Sequence, residues 1–161
     1  MLRSVFFVFI AVCAFSCNEK SILGDSQDFG DSWKAADTAT FKIPSLDTLQ
    51  RYNVILNVRN TNDYKFNNIF LIASIQFPHG KTIVDTLEYK MAAPDGSWLG
   101  EGIGNIKDNR LLYKENVIFN ESGGYALKLT HAVRNNGEIN GVKDLEGITD
   151  VGYTIEKATQ E

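Results

Sequence analysis

The residue with the most specific chemistry in this sequence is Cys17. It follows Arg3, an apolar stretch at residues 5–15 and the small residue Ser16. A basic start and an apolar run well short of the roughly 20 residues that span a bilayer are typical of a cleaved signal peptide. A cysteine directly after the cleavage point predicts a lipoprotein, with residues 1–16 as the signal peptide and acyl chains attached to Cys17.

The same segment has alternative interpretations. An ordinary secretory signal would share the apolar core, and Cys17 would then be incidental. Residues 14–17, Ala-Phe-Ser-Cys, also differ from the commonest lipoprotein motif, which has Leu at its first position and a small residue at its second. A permanent membrane helix fits less well, because the polar residues 18–20 follow the apolar stretch at once. Acylation of Cys17 is the interpretation that accounts for most of these features.

The rest of the sequence offers few groups for catalysis or metal binding. His79 lies in a Pro-His-Gly segment that predicts a turn, and His131 shares the apolar parity of its segment, which predicts a core or rim position. Cys13 and Cys17 lie in or at the end of the signal peptide, so the mature chain has no thiol chemistry and no disulfide. The sequence contains no nucleophile elbow and no phosphate-binding glycine loop. We therefore expect no enzyme activity, no cofactor and no metal.

Composition narrows the class of partner. The formal net charge is −4, and cleavage of the signal peptide would remove one basic residue, Arg3. A mildly acidic protein is a poor ligand for nucleic acid and for the charged surface of an anionic membrane. The length fits a single domain that can bury its own core. We expect contact with the membrane through the N-terminal acyl chains and no binding of nucleic acid.

Alternating apolar and polar residues predict β-strands over most of the chain. The clearest segments are residues 52–59, 69–77, 83–91, 125–133 and 151–155. None of the sequence shows the sustained 3.6-residue apolar repeat of a helix. About seven or eight short strands separated by Gly, Asn and Asp turns predict an all-β domain at residues 37–161. We expect an antiparallel β-sandwich, jelly-roll or immunoglobulin-like, with little or no helix.

Residues 17–36 predict a flexible tether between the acyl chains and this domain, because they are polar and acidic with few apolar side chains. Phe29 and Trp33 interrupt the tether. We expect these two rings to dock on the core rather than to contact a partner.

Trp98 is a candidate contact residue. It follows an Asp-Gly-Ser turn and could contact a protein partner or stack on a sugar, but a core position is the commoner role for a single tryptophan. Three acidic residues near the C-terminus could hold a structural Ca²⁺, although solvated carboxylates are the usual state of such residues. They are Asp144, Glu146 and Asp150.

Three segments of the sequence resemble one known family. They are residues 96–108 (Gly-Ser-Trp-Leu-Gly-Glu-Gly-Ile-Gly-Asn-Ile-Lys-Asp), residues 123–125 (Gly-Gly-Tyr) and residues 145–157 (Leu-Glu-Gly-Ile-Thr-Asp-Val-Gly-Tyr-Thr-Ile-Glu-Lys). Together with the lipoprotein signal, they make the chain similar to the GldH gliding-motility lipoproteins of the Bacteroidetes over about residues 20–160.

The resemblance implies a non-enzymatic lipoprotein that is required for gliding over surfaces and works with the type IX secretion system. It also implies anchoring in the outer membrane, with other gliding-motility or type IX secretion envelope lipoproteins as partners. Residues 18–20 lack a dense acidic export tag, which favours a domain that faces the periplasm. Cys17 is the one functional residue that the resemblance carries over.

Asp-Thr followed by an apolar residue occurs three times, at residues 37–39, 47–49 and 85–87. The tripeptide resembles the O-glycosylation acceptor of exported Bacteroidetes proteins, and it is also a good entry to a β-strand. Thr38 is the candidate that we expect to lie in an exposed loop.

Two other functions are compatible with the sequence. A carbohydrate-binding surface or periplasmic lipoprotein would need at least two coplanar exposed aromatic side chains, such as Trp98 with Tyr113 or Tyr125. A hydrolase would need two carboxylates about 5–10 Å apart in a cleft, and no spacing in the sequence nominates such a pair.

Overall fold

A computed structural model of the chain describes residues 21–159. The predicted signal peptide and Cys17 lie outside the described residues. Over residues 21–159 the chain forms β-strands without a helix, which confirms the all-β class, and this range holds no helix that could cross a membrane. The strands are β1 (Ser21–Asp28), β2 (Ser32–Lys34), β3 (Ala39–Ile43), β4 (Tyr52–Asn60), β5 (Asn68–Gln76), β6 (Thr82–Lys90), β7 (Lys107–Val117), β8 (Tyr125–His131), β9 (Asp144–Glu146) and β10 (Ile148–Lys157).

The long strands form two four-stranded antiparallel sheets. Sheet I has the order β1-β10-β4-β7 and sheet II the order β3-β8-β5-β6, while the short strands β2 and β9 form a separate pair. The chain changes sheet at almost every connection, which is the strand order of a double Greek-key jelly roll. The structure therefore decides between the two predicted sandwich topologies in favour of the jelly roll.

The core lies between the two sheets. Strands alternate buried and exposed residues, as in β3, where Ala39, Phe41 and Ile43 are buried between exposed neighbours. Phe41 reaches across to Tyr153 of sheet I, with 5.3 Å between the ring centroids. A fully buried aliphatic or aromatic side chain contributes about 1.5–3 kcal/mol relative to an exposed one, so these inner faces are the main source of stability.

Polar side chains join the two sheets along the side formed by β6 and β7. The Tyr89 hydroxyl donates to the Leu112 carbonyl oxygen (2.9 Å), and the Tyr113 hydroxyl donates to Asp85 Oδ2 (2.8 Å). Lys114 Nζ lies 2.7 Å from the same carboxylate. The contacts with Lys114 and Tyr113 hold the pKa of Asp85 below its ordinary value. Hydrogen bonds therefore close this side of the sandwich.

The fold begins earlier in the chain than the sequence indicated. Residues 21–28, which we assigned to the tether, form β1 and pair with β10 along its length. β1 is an edge strand whose side chains are mostly exposed, so it has no apolar stripe by which to recognise it. Its pairing covers an edge of β10 that would otherwise present unpaired backbone groups. Three residues, 18–20, lie between Cys17 and the start of β1 at Ser21.

Trp33 on β2 is fully buried, which confirms that this ring docks on the core. It stacks on Phe29 with 5.3 Å between the centroids and meets the His131 ring edge-on at 5.2 Å. The indole Nε1 donates to the Asp37 carbonyl oxygen (2.9 Å), so the polar atom of the ring is satisfied. Because β2 pairs with β9, this cluster closes the end of the sandwich at which β1 finishes.

His131 is the buried titratable group of this cluster. Its Nε2 lies 3.1 Å from the Trp33 carbonyl oxygen, to which the Nε2–H of the neutral ring donates. Among the described residues, its Nδ1 is buried without a hydrogen-bond partner. Burial lowers the pKa of His131 from its ordinary value of 6.5, against smaller opposing effects of the Trp33 carbonyl and the Asp144 carboxylate.

The strand registers define two ends of the sandwich, because antiparallel neighbours start and finish at opposite ends. Three loops lie at the end where Ser21 opens β1: residues 44–51, 77–81 and 118–124. We call this the amino-terminal end. Four segments lie at the opposite end, which we call the distal end: residues 29–38, 61–67, 91–106 and 132–147.

Replacing Trp33 by Ala is expected to lower the free energy of unfolding by about 3–5 kcal/mol, because a large buried ring and its hydrogen bond are lost together. Urea titration followed by circular dichroism measures this change. The matched control is Trp98→Ala, which removes a ring that is only partly buried and should cost less. Equal losses for the two variants would contradict the role of Trp33 in closing the sandwich.

The stability of the protein should decrease as the pH falls below about 6.5. Below the ordinary pKa of 6.5 and above the lowered pKa of the folded state, His131 is protonated in the unfolded chain but not in the folded chain. The free energy of unfolding therefore rises with pH over this range. His131→Gln should weaken this dependence below about pH 6.5, as measured by urea unfolding at a series of pH values. Asp85 loses its contribution only as the pH falls through its ordinary value of 3.8, outside this window. An unchanged slope in the variant would contradict the assignment.

Candidate functional site

Trp98 lies in the first of two turns that connect β6 to β7 at the distal end. The Ala93 backbone N–H donates to the Ser97 carbonyl oxygen (2.8 Å), and that of Gly96 donates to the Ala93 carbonyl oxygen (2.9 Å). Ala92 pairs with Trp98 as an isolated β-bridge next to this turn. The turn therefore fixes the backbone position of Trp98.

The Asp95 carboxylate supports the first turn. Its Oδ1 accepts hydrogen bonds from the Ser97 hydroxyl (2.7 Å) and from the Ser97 backbone N–H (3.0 Å). These two contacts hold the pKa of Asp95 below its ordinary value. The Asp95 carboxylate is therefore stabilised by hydrogen bonds within the turn itself.

The second turn carries the glycine-rich part of the segment. Glu101 and Asp108 exchange two backbone hydrogen bonds, of 3.0 and 2.7 Å, at its base. Gly102 has a φ of +152°, and a Cβ at this position would lie 2.3 Å from the Ile106 carbonyl oxygen. Because the backbone approaches itself this closely, the position requires glycine. Lys107 Nζ donates to the Gly102 carbonyl oxygen (3.0 Å) and completes the turn.

Asn62 holds both turns against the body of the sandwich. Trp98 Nε1 donates to Asn62 Oδ1 (2.9 Å), and the Asn62 backbone N–H donates to Asn105 Oδ1 (3.0 Å). The Trp98 ring also packs near Tyr64, with 6.2 Å between the centroids. The Tyr64 hydroxyl donates to the Asn68 carbonyl oxygen (2.6 Å), and burial raises the pKa of Tyr64 well above its ordinary value. Trp98 therefore belongs partly to the core and partly to the surface.

The loop at residues 61–64 rests in turn on Gly147. Gly147 has a φ of +80°, and a Cβ there would lie 2.2 Å from the Tyr64 backbone nitrogen. The Gly147 carbonyl oxygen also accepts a backbone hydrogen bond of 2.8 Å from this loop. The two distinctive segments of the sequence, residues 96–108 and 145–157, therefore meet through one short loop.

Two buried amides support the base of the second turn. Asn109 Nδ2 donates to Asn60 Oδ1 (2.8 Å) and to the Val58 carbonyl oxygen (2.9 Å), and both side chains are almost fully buried. Asn60 Nδ2 donates to the Thr61 carbonyl oxygen (3.0 Å). Loss of one partner would leave a buried polar group unsatisfied, at a cost of about 1–3 kcal/mol. The start of β7 is thus fixed to the end of β4 beneath the turns.

The two turns, fixed by these contacts, expose three apolar side chains to solvent. Ile103 is 99% exposed, Leu99 55% and Ile106 46%, and we call these three residues the apolar tip. Grouped apolar exposure of this kind marks contact surfaces more often than single exposed residues do. The sequence did not predict the apolar tip, because the alternation that identifies strands does not apply to a glycine-rich turn. The available signal was the spacing of three aliphatic residues among the glycines of residues 99–106.

The structure separates Trp98 from its expected aromatic partners. Tyr113 and Tyr125 are 8% and 3% exposed and belong to the core. Neither ring can therefore join Trp98 in the exposed aromatic platform that the alternative carbohydrate-binding function would need. Thr38 lies exposed in the loop between β2 and β3.

The acidic residues near the C-terminus do not converge on one point. Glu146 pairs with Lys65, and Asp150 Oδ2 lies 3.5 Å from a guanidinium nitrogen of Arg59. Residues 21–159 contain no group of three or more His, Cys, Asp or Glu side chains placed to hold a metal ion. The exposed His79, in its turn, has its Nδ1 2.8 Å from a carboxylate oxygen of Glu121.

Fold and sequence together define a class of protein: a jelly-roll domain that follows a predicted lipoprotein signal and exposes three apolar side chains at its distal end. The family model described as "GldH lipoprotein" matches residues 22–155 of the chain. That match includes the apolar tip, all of residues 96–108 and residues 145–155 of the second distinctive segment. The chain belongs to the GldH lipoprotein family.

Curated relatives agree with this assignment over nearly the full length. "Gliding motility lipoprotein GldH homolog" of Christiangramia forsetii is 44% identical over 160 residues, which cover 98% of this chain and 99% of the relative. "Gliding motility lipoprotein GldH" of Flavobacterium johnsoniae is 46% identical over 147 residues, 91% of each chain. The family resemblance found in the sequence is therefore confirmed.

Solved structures with some similarity come from virus particles. A chain of the T13 particle of infectious bursal disease virus has a TM-score of 0.37 and 17% identity, and the alignment covers 86% of this chain and 32% of that chain. A mutant VP2 protein of the same virus has a TM-score of 0.36 and 17% identity, with 84% and 32% covered. The chain spans about a third of the length of these viral proteins.

Gly102→Ala should destabilise the protein more than Gly104→Ala, although both glycines lie in the second turn. A Cβ at Gly102 would collide with the Ile106 carbonyl oxygen, whereas Gly104, at φ +71°, has no neighbour within 4 Å. We expect a loss of about 2–3 kcal/mol for the first variant and about 1 kcal/mol for the second, measured by urea unfolding. Equal losses would show that the close approach does not constrain this turn.

Proposed function

We propose that this protein is a non-enzymatic, outer-membrane-anchored lipoprotein that supports gliding motility and the associated type IX secretion machinery through protein–protein contacts. Acyl chains on Cys17 hold the domain on the membrane. Its partners are other gliding-motility or type IX secretion envelope lipoproteins. Membership of the GldH lipoprotein family and the names of the relatives support the role in gliding motility.

The apolar tip is the observation that carries the part of this proposal concerned with protein contacts. An exposed isoleucine such as Ile103 gains about 1.5–3 kcal/mol when a partner buries it. A few well-buried side chains supply most of the affinity in many interfaces. The hydrogen bonds of Asn62 hold the turns in place before a partner arrives, which lowers the ordering cost of binding.

Attachment to a membrane makes a small interface sufficient. Tethering confines the domain and its partners to one thin layer and raises their effective concentration. We place the domain on the periplasmic side, because residues 18–20 lack a dense acidic segment. The mildly acidic net charge of −4 fits protein partners better than nucleic acid.

Thr38 is a modification site within the same proposal. It follows Asp37, precedes an apolar residue and lies exposed in the loop between β2 and β3. An O-glycosylating enzyme could therefore reach its hydroxyl in the folded protein.

Ile103→Asp should reduce the recovery of gliding-motility and type IX secretion proteins in a crosslinked affinity pull-down of the native lipoprotein from detergent-solubilised membranes. A carboxylate on the apolar tip opposes burial in an apolar interface, so we expect a loss of roughly tenfold. Cys17→Ala should also reduce recovery, because it removes the attachment that concentrates the partners.

Ile139→Asp is the matched control, since Ile139 is 90% exposed at the same end but lies in a different segment. This variant should recover the same proteins as the native chain. Undiminished recovery by Ile103→Asp would exclude the apolar tip as the contact surface. Failure of the native lipoprotein to recover envelope proteins, under conditions that preserve known complexes, would contradict the contact function as a whole.

A further inference from the structure

The length of the chain before β1 restricts how the sandwich can sit on a membrane. Ser21 opens β1, and four residue steps separate it from Cys17. A fully extended chain covers no more than about 14 Å over four steps. With Cys17 acylated, as the proposed function states, the end that carries Ser21 must therefore lie within about 14 Å of the lipid surface.

Leu49 is the most exposed large apolar side chain among the described residues of this end, at 90%. Its backbone N–H donates to Asp47 Oδ1 (2.9 Å), and the Gln50 N–H donates to the Asp47 carbonyl oxygen (3.3 Å). These bonds make a compact turn that fixes the backbone of Leu49. Ile22 and Ile118, which are 42% and 41% exposed, lie at the same end of the sandwich.

An apolar cleft of about 240 Å³ lies at the same end, between the two sheets. Exposure of this apolar surface to water is unfavourable, whereas the boundary between lipid headgroups and acyl chains can bury the surface. The cleft is lined by Val54, Ile75, Phe77, Ile83, Lys114, Val117, Ile118, Phe119 and Tyr125.

Charge also distinguishes the two ends. The loops of the amino-terminal end carry acidic and basic side chains in equal number: Asp47, Glu121, Arg51 and Lys81. The distal segments carry twice as many acidic as basic side chains: Asp31, Asp37, Asp63, Asp95, Glu101, Glu138, Asp144 and Glu146 against Lys34, Lys65, Arg134 and Lys143. The negative surface potential of an anionic leaflet repels the acidic distal surface. It does not repel the loops of the amino-terminal end, whose charges balance.

We propose that the amino-terminal end is a lipid-contact surface, in which Leu49 inserts into the leaflet that holds the acyl chains of Cys17. This inference rests on the proposed acylation and adds an orientation to it. The sandwich then stands upright on the membrane. Strands of 8 to 10 residues, at about 3.3 Å per residue, place the apolar tip roughly 30 Å further from the lipid.

A lipid surface fits this end better than a second copy of the chain or another folded domain. The connection to Cys17 leaves at most about 14 Å between the end of the sandwich and the leaflet. A compact domain of even 100 residues has a radius of gyration of about 13 Å and needs about twice that space. The lipid is therefore the occupant that the geometry admits.

Site-directed fluorescence on the native lipoprotein tests this contact. Cys13 leaves with the signal peptide and the Cys17 thiol is acylated, so Leu49→Cys supplies the single free thiol of the mature protein. The labelled lipoprotein is reconstituted into vesicles of phosphatidylethanolamine with a minor fraction of phosphatidylglycerol. We expect blue-shifted emission, quenching by a lipid-borne quencher and a several-fold lower accessibility to an aqueous quencher than at a distal position.

Ile103→Cys and Ile139→Cys are the matched distal variants, because both replace aliphatic residues that are at least 90% exposed. Their fluorophores should remain in water. Equal aqueous accessibility at Leu49 and Ile103 would overturn the lipid contact. Shielding at Leu49 that increases with protein density in the vesicle would also overturn it, because a second copy would then be the occupant.

Mass spectrometry of the same sample separates this inference from the proposed function. An unmodified Cys17 would refute the membrane tether and the orientation together. An acylated Cys17 with a water-exposed label at Leu49 would refute the lipid contact alone. Insertion of about ten Gly and Ser residues after Asn18 should raise the aqueous accessibility of the label, because a longer linker releases the domain from the leaflet.

Discussion

The pairing of β1 with β10 is the constraint on which the rest of the molecule depends. β10 lies between β1 and β4, so both of its edges are covered only when the first strand of the chain has joined the sheet. The antiparallel register also determines where the chain enters the fold, since it places Ser21 opposite Glu156. In the proposed orientation, the height of the domain above the membrane, the loops that face the lipid and the direction of the apolar tip all follow from this entry point.

At the distal end, hydrogen bonds hold the loops in place, whereas apolar packing holds the strands together in the core. Residues 61–64 rest on Gly147, accept the indole N–H of Trp98 and donate to the side chain of Asn105. The buried amide pair beneath them fixes the start of β7 to the end of β4. A loop held in this way keeps its shape without burying its own apolar residues, which leaves Ile103 available to a partner.

The sequence located the four inner strands of the two sheets and missed β1, which lies at an edge. β4, β5, β8 and β10 carry period-two stripes because they pack against the opposite sheet, whereas β1 lies at an edge with both faces largely exposed. Strand order depends on pairings between distant residues, so local patterns could not separate the jelly roll from an immunoglobulin-like fold. Trp98 was ambiguous for a physical reason, since its ring is partly buried against the core and partly exposed. The apolar tip lies in a turn, and the alternation of apolar and polar residues that identifies strands does not apply to turns.

The position of β10 also has a kinetic consequence. The last strand to be synthesised, Ile148–Lys157, is an inner strand of sheet I, and β1 cannot pair until it is present. Contacts between residues so far apart in sequence form slowly compared with local structure. A nascent chain that still lacks Ile148–Lys157 therefore cannot complete sheet I. The topology itself therefore delays completion of the sandwich until β10 is available.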